Sequence, residues 1–318
     1  MIRIGIVGTS SISEQLARAV HAVDGVELGR VASRDLPRGR DFAERVGAPG
    51  VADGLAGLLD AGDSDAVYIA SPNSVHAEQV RAAVDAGIPV LVEKPATLTA
   101  EEWEELVELA REREVVLLEA MRTAYDPGIQ TIQELLPRLG RIRRVSFRYE
   151  KRSARYDHVL AGEPTNIFDP ALGGSALRDL GVYPLHALVL LFGDPRDIVG
   201  ARVGIASGTD GLGSAIAEYD GFLADVAWSK ITDTSLPSEI QGEEASLSID
   251  AIDAPRRLVL TPRGGEPETR DVAAPGNPMI GEVERLRDAV RGADVSIDQD
   301  RTTRTLRLVD ALLRRPLR

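Results

Sequence analysis

The chain has 318 residues, 43% hydrophobic and 27% charged, a mixture that excludes a disordered chain and is long enough for about two domains. Its 37 Lys and Arg against 50 Asp and Glu give a formal charge of −13, which repels phosphate backbones, and with only 4% aromatic residues there is little to build a base-stacking platform, so nucleic acid is not expected as a partner. The absence of cysteine excludes disulfides, thiolate nucleophiles and cysteine-held zinc, and His21, His76, His158 and His186 do not fall at a short metal-ligating spacing, so no metal is expected.

The chain opens on Met1-Ile2-Arg3-Ile4-Gly5, which runs directly into an apolar strand pattern; with no leader and no membrane-spanning run, a soluble cytoplasmic protein is expected. Strands are predicted at Ile2 to Val7, Val26 to Ala32, Ala66 to Ala70, 88–92 and Val115 to Leu118. Between them the spacing of apolar residues predicts helices over Ser11 to Val23, Leu36 to Val46, Val75 to Ala86 and, capped by Thr99, up to about Arg113. Strands alternating with helices imply βαβ units, hence a doubly wound parallel sheet over residues 1–120. Beyond residue 120 the rhythm changes. A helix is predicted over Pro127 to Leu139, a strand over Arg141 to Arg152, loop over 153–175 and a helix over Ala176 to Phe192. Successive strands then follow at Val199–Ala206, Ser214–Tyr219, Phe222–Ile231, Ala245–Ile249, Arg257–Thr261 and Glu268–Val272, before two closing helices at 279–291 and 299–313. Strands without intervening helices predict an open, mainly antiparallel sheet, so residues 121–318 are assigned to an α+β domain.

Four strand ends carry chemistry. After the first strand, Gly8-Thr9-Ser10-Ser11-Ile12-Ser13 stands where a dinucleotide fold places a glycine-rich turn, because the backbone must bend sharply and offer helix N–H groups to a pyrophosphate. Only Gly8 of the usual glycines is present, and the other reading is a serine-capped helix. After the second strand, Ser33 and Arg34, with Arg38 nearby, offer donors and positive charge to a ribose 2′-phosphate, which favours NADP(H) over NAD(H); Asp35, one residue on, is the competing signal for NAD. The third ends in Ser71-Pro72-Asn73 with His76 following, at the sheet edge where ligands bind; the alternative for His76 is a helix-start residue with a structural hydrogen bond. The fourth ends in Glu93-Lys94-Pro95, where a lysine could stabilise negative charge on a substrate oxygen; its alternative is an exposed ion pair worth little.

These stretches, with Gly173-Gly174-Ser175-Ala176-Leu177-Arg178-Asp179-Leu180-Gly181-Val182-Tyr183-Pro184, resemble in order the glucose–fructose oxidoreductase/inositol dehydrogenase/rhizopine catabolism (Gfo/Idh/MocA) family of NAD(P)-dependent oxidoreductases. The resemblance spans nearly the whole chain. It implies that Lys94 is the catalytic lysine and that Asp179 and Tyr183 complete the site, with a final helix packing back toward the first domain and a homodimer or higher oligomer built on the large sheet. Helical spacing would put Asp179, Tyr183 and His186 on one face. A phenol beside an ammonium makes a proton relay, whereas the bland alternative for Tyr183 is a core aromatic. Asn73, His76 and Glu93 are expected to line the nicotinamide side, and Arg122, Asn166, Phe168, Asp169 and His186 to contact substrate. The implied reaction is hydride transfer between nicotinamide and a secondary alcohol or ketone of a sugar, cyclitol or related diol, without nucleic acid or membrane. Its rivals are an NAD-assisted glycoside hydrolase and a non-catalytic dinucleotide or sugar sensor.

Overall fold

The computed structural model describes residues 1–318. Two bodies emerge, one of residues 1–122 with 275–303 and one of residues 123–274 with 304–318.

The first body follows the chain through β1 (Ile2–Val7), α1 (Ser11–Ala22), β2 (Val26–Ser33), α2 (Leu36–Val46), β3 (Val51–Asp53), α3 (Gly54–Ala61), β4 (Ala66–Ile69), α4 (His76–Asp85), β5 (Val90–Glu93), α5 (Ala100–Glu112) and β6 (Leu117–Ala120). All strand pairs are parallel, in the order β3-β2-β1-β4-β5-β6. Strands β4, β5 and β6 are buried at every position, as a parallel sheet covered on both faces requires. The chain leaves β1 to one side for β2 and to the other for β4, so the sheet order reverses there and opens a crevice at the carboxyl ends of the strands. Helix boundaries follow from local chemistry. Thr99 and Glu102 form a reciprocal capping box at the start of α5, and Gly47, at φ +73°, ends α2. The sequence reading lacked β3 and α3. A three-residue strand followed by the glycine-bearing segment Gly54-Leu55-Ala56-Gly57 is too short and too permissive to show a period.

The second body contains α6 (Pro127–Leu135), β7 (Ile142–Glu150), the short α7 (Tyr156–Leu160) and α8 (Val182–Phe192). Its remaining strands are β8 (Asp197–Gly204), β9 (Asp210–Tyr219), β10 (Phe222–Ser229), β11 (Ser238–Gly242), β12 (Ala245–Ile249), β13 (Arg257–Pro262) and β14 (Glu268–Asp271). They form one sheet in the order β14-β13-β12-β11-β7-β10-β9-β8, antiparallel throughout except between β7 and β10. Alternation is clean on β9, where Ala215, Ala217 and Tyr219 are buried and Ser214, Ile216 and Glu218 are exposed. Strand β11 escaped prediction because Ser-Glu-Ile-Gln-Gly offers a single apolar residue. The apolar stretch 170–192 is long enough to span a bilayer, but 72% of its most apolar 18 residues are buried within the protein, as in a core helix.

The closing helices are α9 (Ile280–Val290) and α10 (Ser296–Leu313). A single domain boundary near residue 120 does not describe the chain, because residues 275–303 return to the first body. The reason is packing: Met279, Val283, Leu286 and Ala289 share one buried cluster with Ile4, Ile6, Leu16 and Val20. The start of α10 is held there too, by Trp103 donating to the Gln299 carbonyl (3.2 Å) and Gln299 donating to the Leu117 carbonyl (3.0 Å).

Candidate active site

The turn after β1 fits a dinucleotide. Gly8 has φ +111°, and a Cβ there would lie 2.8 Å from the Ala70 carbonyl, so only glycine lets this turn pass the end of β4. Ser10 occupies the N-cap of α1 but makes no capping hydrogen bond; its hydroxyl lies 3.3 Å from that of the buried Ser13. The first-turn amides of α1 therefore have no side-chain cap, which is the condition for receiving a phosphate. Thr9 and Ile12 are half-buried and Ser11 exposed.

At the end of β2 the competing signals separate. The Asp35 carboxylate accepts from Arg38 N–H (3.1 Å) as the N-cap of α2, and Ser33 Oγ bonds both to the Asp35 carbonyl (2.8 Å) and to its N–H (3.2 Å). Asp35 is thus a helix cap. Arg34 and Arg38 are exposed and in no ion pair, unlike Arg30, which is paired with Asp63 at 2.7 Å.

The turns after β4 and β5 are tied together by His76. Its Nε2 lies 2.9 Å from the Ser71 carbonyl and its Nδ1 3.0 Å from the Pro95 carbonyl. The ring is fully buried, and burial lowers its pKa, with the Lys94 cation acting in the same direction. His76 is the structural brace of the two readings. Ser71 Oγ is bonded to Gln79 (2.6 Å), and Asn73 opens a short 3₁₀ turn over Asn73–Val75.

Lys94 is half-buried, and the Lys94–Pro95 peptide is cis. Buried carboxylates grip the backbone on both sides of it. Glu93 accepts from the Tyr68 hydroxyl (2.5 Å) and from Lys94 N–H (3.2 Å), while Glu119 accepts from Ala96 N–H (2.9 Å) and from the Thr302 hydroxyl (3.0 Å). Burial raises the Glu93 pKa against the opposing pull of Lys94, and raises that of Glu119 to about 7 against its hydrogen bonds. Glu282 of α9 is pushed up as well, by burial and then by the charge of Glu93, with the Arg122 cation pulling it down. Glu93, like His76, is therefore a buried brace behind the turn.

In the second body the glycine pair has two separate reasons. Gly173 has φ +77°, and a Cβ on Gly174 would lie 2.8 Å from Asp169 N and from the Ile167 carbonyl carbon. The buried Asp210 then fixes the segment, accepting from Ser175 Oγ (2.6 Å), Leu177 N–H (2.9 Å) and Trp228 Nε1 (3.3 Å). Leu177–Gly181 is a π-helical turn leading into α8, a form of local widening often found at functional sites. Asp179 lies on this turn and Tyr183 on α8, so the regular helical register assumed for 179, 183 and 186 does not run unbroken between them. Asp179 keeps 35% of its side-chain surface, and its Oδ2 is 2.6 Å from the Nζ of Lys230, which is 2% exposed. Tyr183 is nearly enclosed, edge-on to Tyr149 with ring centroids 5.4 Å apart.

The substrate candidates are dispersed. His186 and Phe168 are buried, the latter with Lys230 Nζ 4.5 Å above its ring. Asp169 caps a short 3₁₀ turn through Ala171 N–H (2.9 Å), and Asn166 is exposed. Arg122 is half-buried in the first body.

Residues 2–121 match the oxidoreductase family with an NAD-binding Rossmann fold, and residues 129–248 match the Gfo/Idh/MocA C-terminal domain. The chain belongs to the Gfo/Idh/MocA family. It is 34% identical over 306 residues to scyllo-inositol 2-dehydrogenase (NADP(+)) of Bacillus subtilis, covering 96% of this chain and 93% of that one. It is 30% identical to D-xylose 1-dehydrogenase (NADP(+)) 2 of Haloferax volcanii, over 97% and 95% of the two chains. The fold matches that of a 3-ketoreductase from Actinomadura kijaniata in complex with NADP and TDP-benzene, with a TM-score of 0.89, 26% identity and coverage of 98% and 97%. This Gfo/Idh/MocA member is an NAD(P)-dependent oxidoreductase with a Rossmann domain and a mainly antiparallel second sheet, as the sequence motifs implied.

Three residues beside the predicted ones went unread in the sequence: Glu119 and Glu282 in the first body and Lys230 in the second. Glu119 and Lys230 carry a recognisable signal, a charge at the end of an apolar strand run, the same signal that marked Lys94. Glu282, inside an amphipathic helix, carries none.

Proposed function

We propose that the protein catalyses reversible, NADP(H)-dependent oxidation of a secondary alcohol on a sugar or cyclitol. The observation that carries this reading is Lys94, half-buried after β5 on a turn clamped by Glu93 and Glu119. A lysine held in this way can stabilise charge developing on a substrate oxygen. When bound, the nicotinamide supplies the hydride chemistry. Gly8 and the uncapped start of α1 take its pyrophosphate, and Ser33, Arg34 and Arg38 its 2′-phosphate. Tyr183 exchanges the proton of the reacting hydroxyl, Lys94 steadies the alkoxide, and Asp179 accepts a hydrogen bond from substrate. The names of the relatives, acting on scyllo-inositol and D-xylose with NADP(+), support both the substrate class and the cofactor. Val199, Val203, Ile216 and Leu223, exposed on β8, β9 and β10, support a homo-oligomer built on that sheet.

The test is titration of the intrinsic tryptophan fluorescence with NADPH and NADH, followed by a panel of inositols, pentoses and hexoses read at the nicotinamide absorbance. Tighter binding of NADPH and reduction of NADP(+) by at least one polyol are expected. NADPH binding with no redox change across the panel, or glycoside cleavage without net cofactor reduction, would overturn the reading.

A further inference from the structure

Lys230 has no part in the chemistry assigned above, yet it is among the most enclosed large side chains in the protein. Burying an ammonium costs several kcal/mol unless its donors are met. Here they are met by Asp179 Oδ2 at 2.6 Å and the Ile167 carbonyl at 3.1 Å, with the Phe168 ring 4.5 Å from the cation. The backbone on either side is fixed, by Lys230 N–H donating to Gly211 (2.8 Å) and Ser153 N–H donating to the Lys230 carbonyl (2.8 Å). The partner is fixed independently, because Asp210 holds the start of the π-helical turn that carries Asp179.

The burial of this pair is unequal. A purely structural buried bridge encloses both ions, but here the cation is 2% exposed and the carboxylate 35%. We propose that Lys230 is a positioning residue that holds Asp179 ionised and oriented as an acceptor for a substrate hydroxyl, leaving Tyr183 as the group that exchanges the proton of the reaction. The proposal rests on the dehydrogenase reading for the identity of the substrate. The pairing itself does not depend on that reading. The elements packed around this turn are β7, β9, β10 and α8; their titratable groups are Arg143, Arg144, Arg148, Tyr149 and Glu150 of β7, Asp210, Glu218 and Tyr219 of β9, Asp225 of β10, and Tyr183 and His186 of α8, with Arg178 on the turn itself. The acceptor role also limits the substrate. An ionised carboxylate that cannot give up a proton selects a molecule with a free hydroxyl beside the reacting carbinol, so a vicinal diol is favoured over its deoxy analogue.

The test uses the full chain with carbonyl-13C aspartate, the Asp179 carboxyl signal being assigned by its loss in Asp179→Asn. In the wild type that signal should stay ionised to below the ordinary aspartate range. In Lys230→Met its midpoint should rise by about 1–3 pH units, and Lys230→Arg should restore it. The acid limb of kcat/KM should move with the signal, kcat should fall roughly 10²-fold in Lys230→Met, and the NADPH Kd should stay within about twofold of wild type. A wild-type signal titrating in or above the ordinary range overturns the proposal without need of a folded variant. So does a folded Lys230→Met protein with an unmoved midpoint or wild-type kinetics. A wild-type protein that oxidises no polyol sinks the dehydrogenase reading instead, and the carboxyl titration still decides whether Lys230 holds Asp179.

Discussion

The two bodies present opposite charges by mirror-image means. In the first, the carboxylates of Glu93 and Glu119 are buried beneath a turn and the cation, Lys94, is only half-buried. In the second, the cation, Lys230, is buried and the carboxylate, Asp179, retains its exposure. In the first, the enclosed carboxylates hold the backbone on either side of the outward cation; in the second, the enclosed cation pairs directly with the outward carboxylate. A charged side chain at a strand end thus has meaning only together with what lies behind it, and an isolated surface pair would be worth little.

The largest expected effects fall on Lys94, the outward member of the first pair, and on Tyr183, which lies on the helix that follows the turn carrying Asp179. Lys94→Ala should lower kcat by about 10³-fold and Tyr183→Phe by about 10²-fold, each with NADPH affinity changed less than about threefold, as read by nicotinamide absorbance and fluorescence titration. Equal losses of cofactor binding would show that these side chains hold the nucleotide instead.

The next test goes to the buried side. Glu119 has its pKa raised to about 7 by burial, so between about pH 4.5 and 7 the folded protein keeps a proton that the unfolded chain releases. Stability should therefore be greatest below about pH 4.5 with respect to this group, fall as pH rises through 7, and lose about 3 kcal/mol in all. Glu119→Gln should remove that part of the slope in denaturant unfolding measured from pH 5 to 8. An unchanged slope would place the proton elsewhere.

Two smaller effects sharpen the cofactor assignment. Arg34→Ala should weaken NADPH about tenfold and leave NADH unchanged in paired titrations. Asp35→Ala should cost about 1 kcal/mol of stability, as loss of a helix cap does, without weakening NADH. Loss of NADH binding in that variant would return Asp35 to the ribose.

Most of the first body was legible because its motifs are local. A strand, a turn and a helix start lie within a dozen residues, and parallel topology brings every such turn to one edge. The reading of the Gly8 turn needed only the one glycine whose φ and crowding admit no other residue. What stayed hidden depends on distant partners. The role of Asp35 was ambiguous until the Arg38 amide showed it to be a cap, and His76 looked like a cofactor contact until two carbonyls were found against its ring. Lys230 was read only as part of a strand, since nothing near it in sequence announces Asp179. The return of residues 275–303 was expected for the final helix from the family resemblance alone, and the residues it packs against stayed hidden: an amphipathic helix shows which face it buries, not against what.

The start of α1, whose Ser10 leaves it uncapped, carries a further consequence. On the proposed reading, a bound nucleotide would supply the acceptor that Ser10 does not, and the helix would be finished by its own ligand. Slowed hydrogen exchange at Ser11 to Ser13 and a raised melting temperature should accompany saturation with NADPH, and protease sensitivity at that spot should fall as NADPH is added.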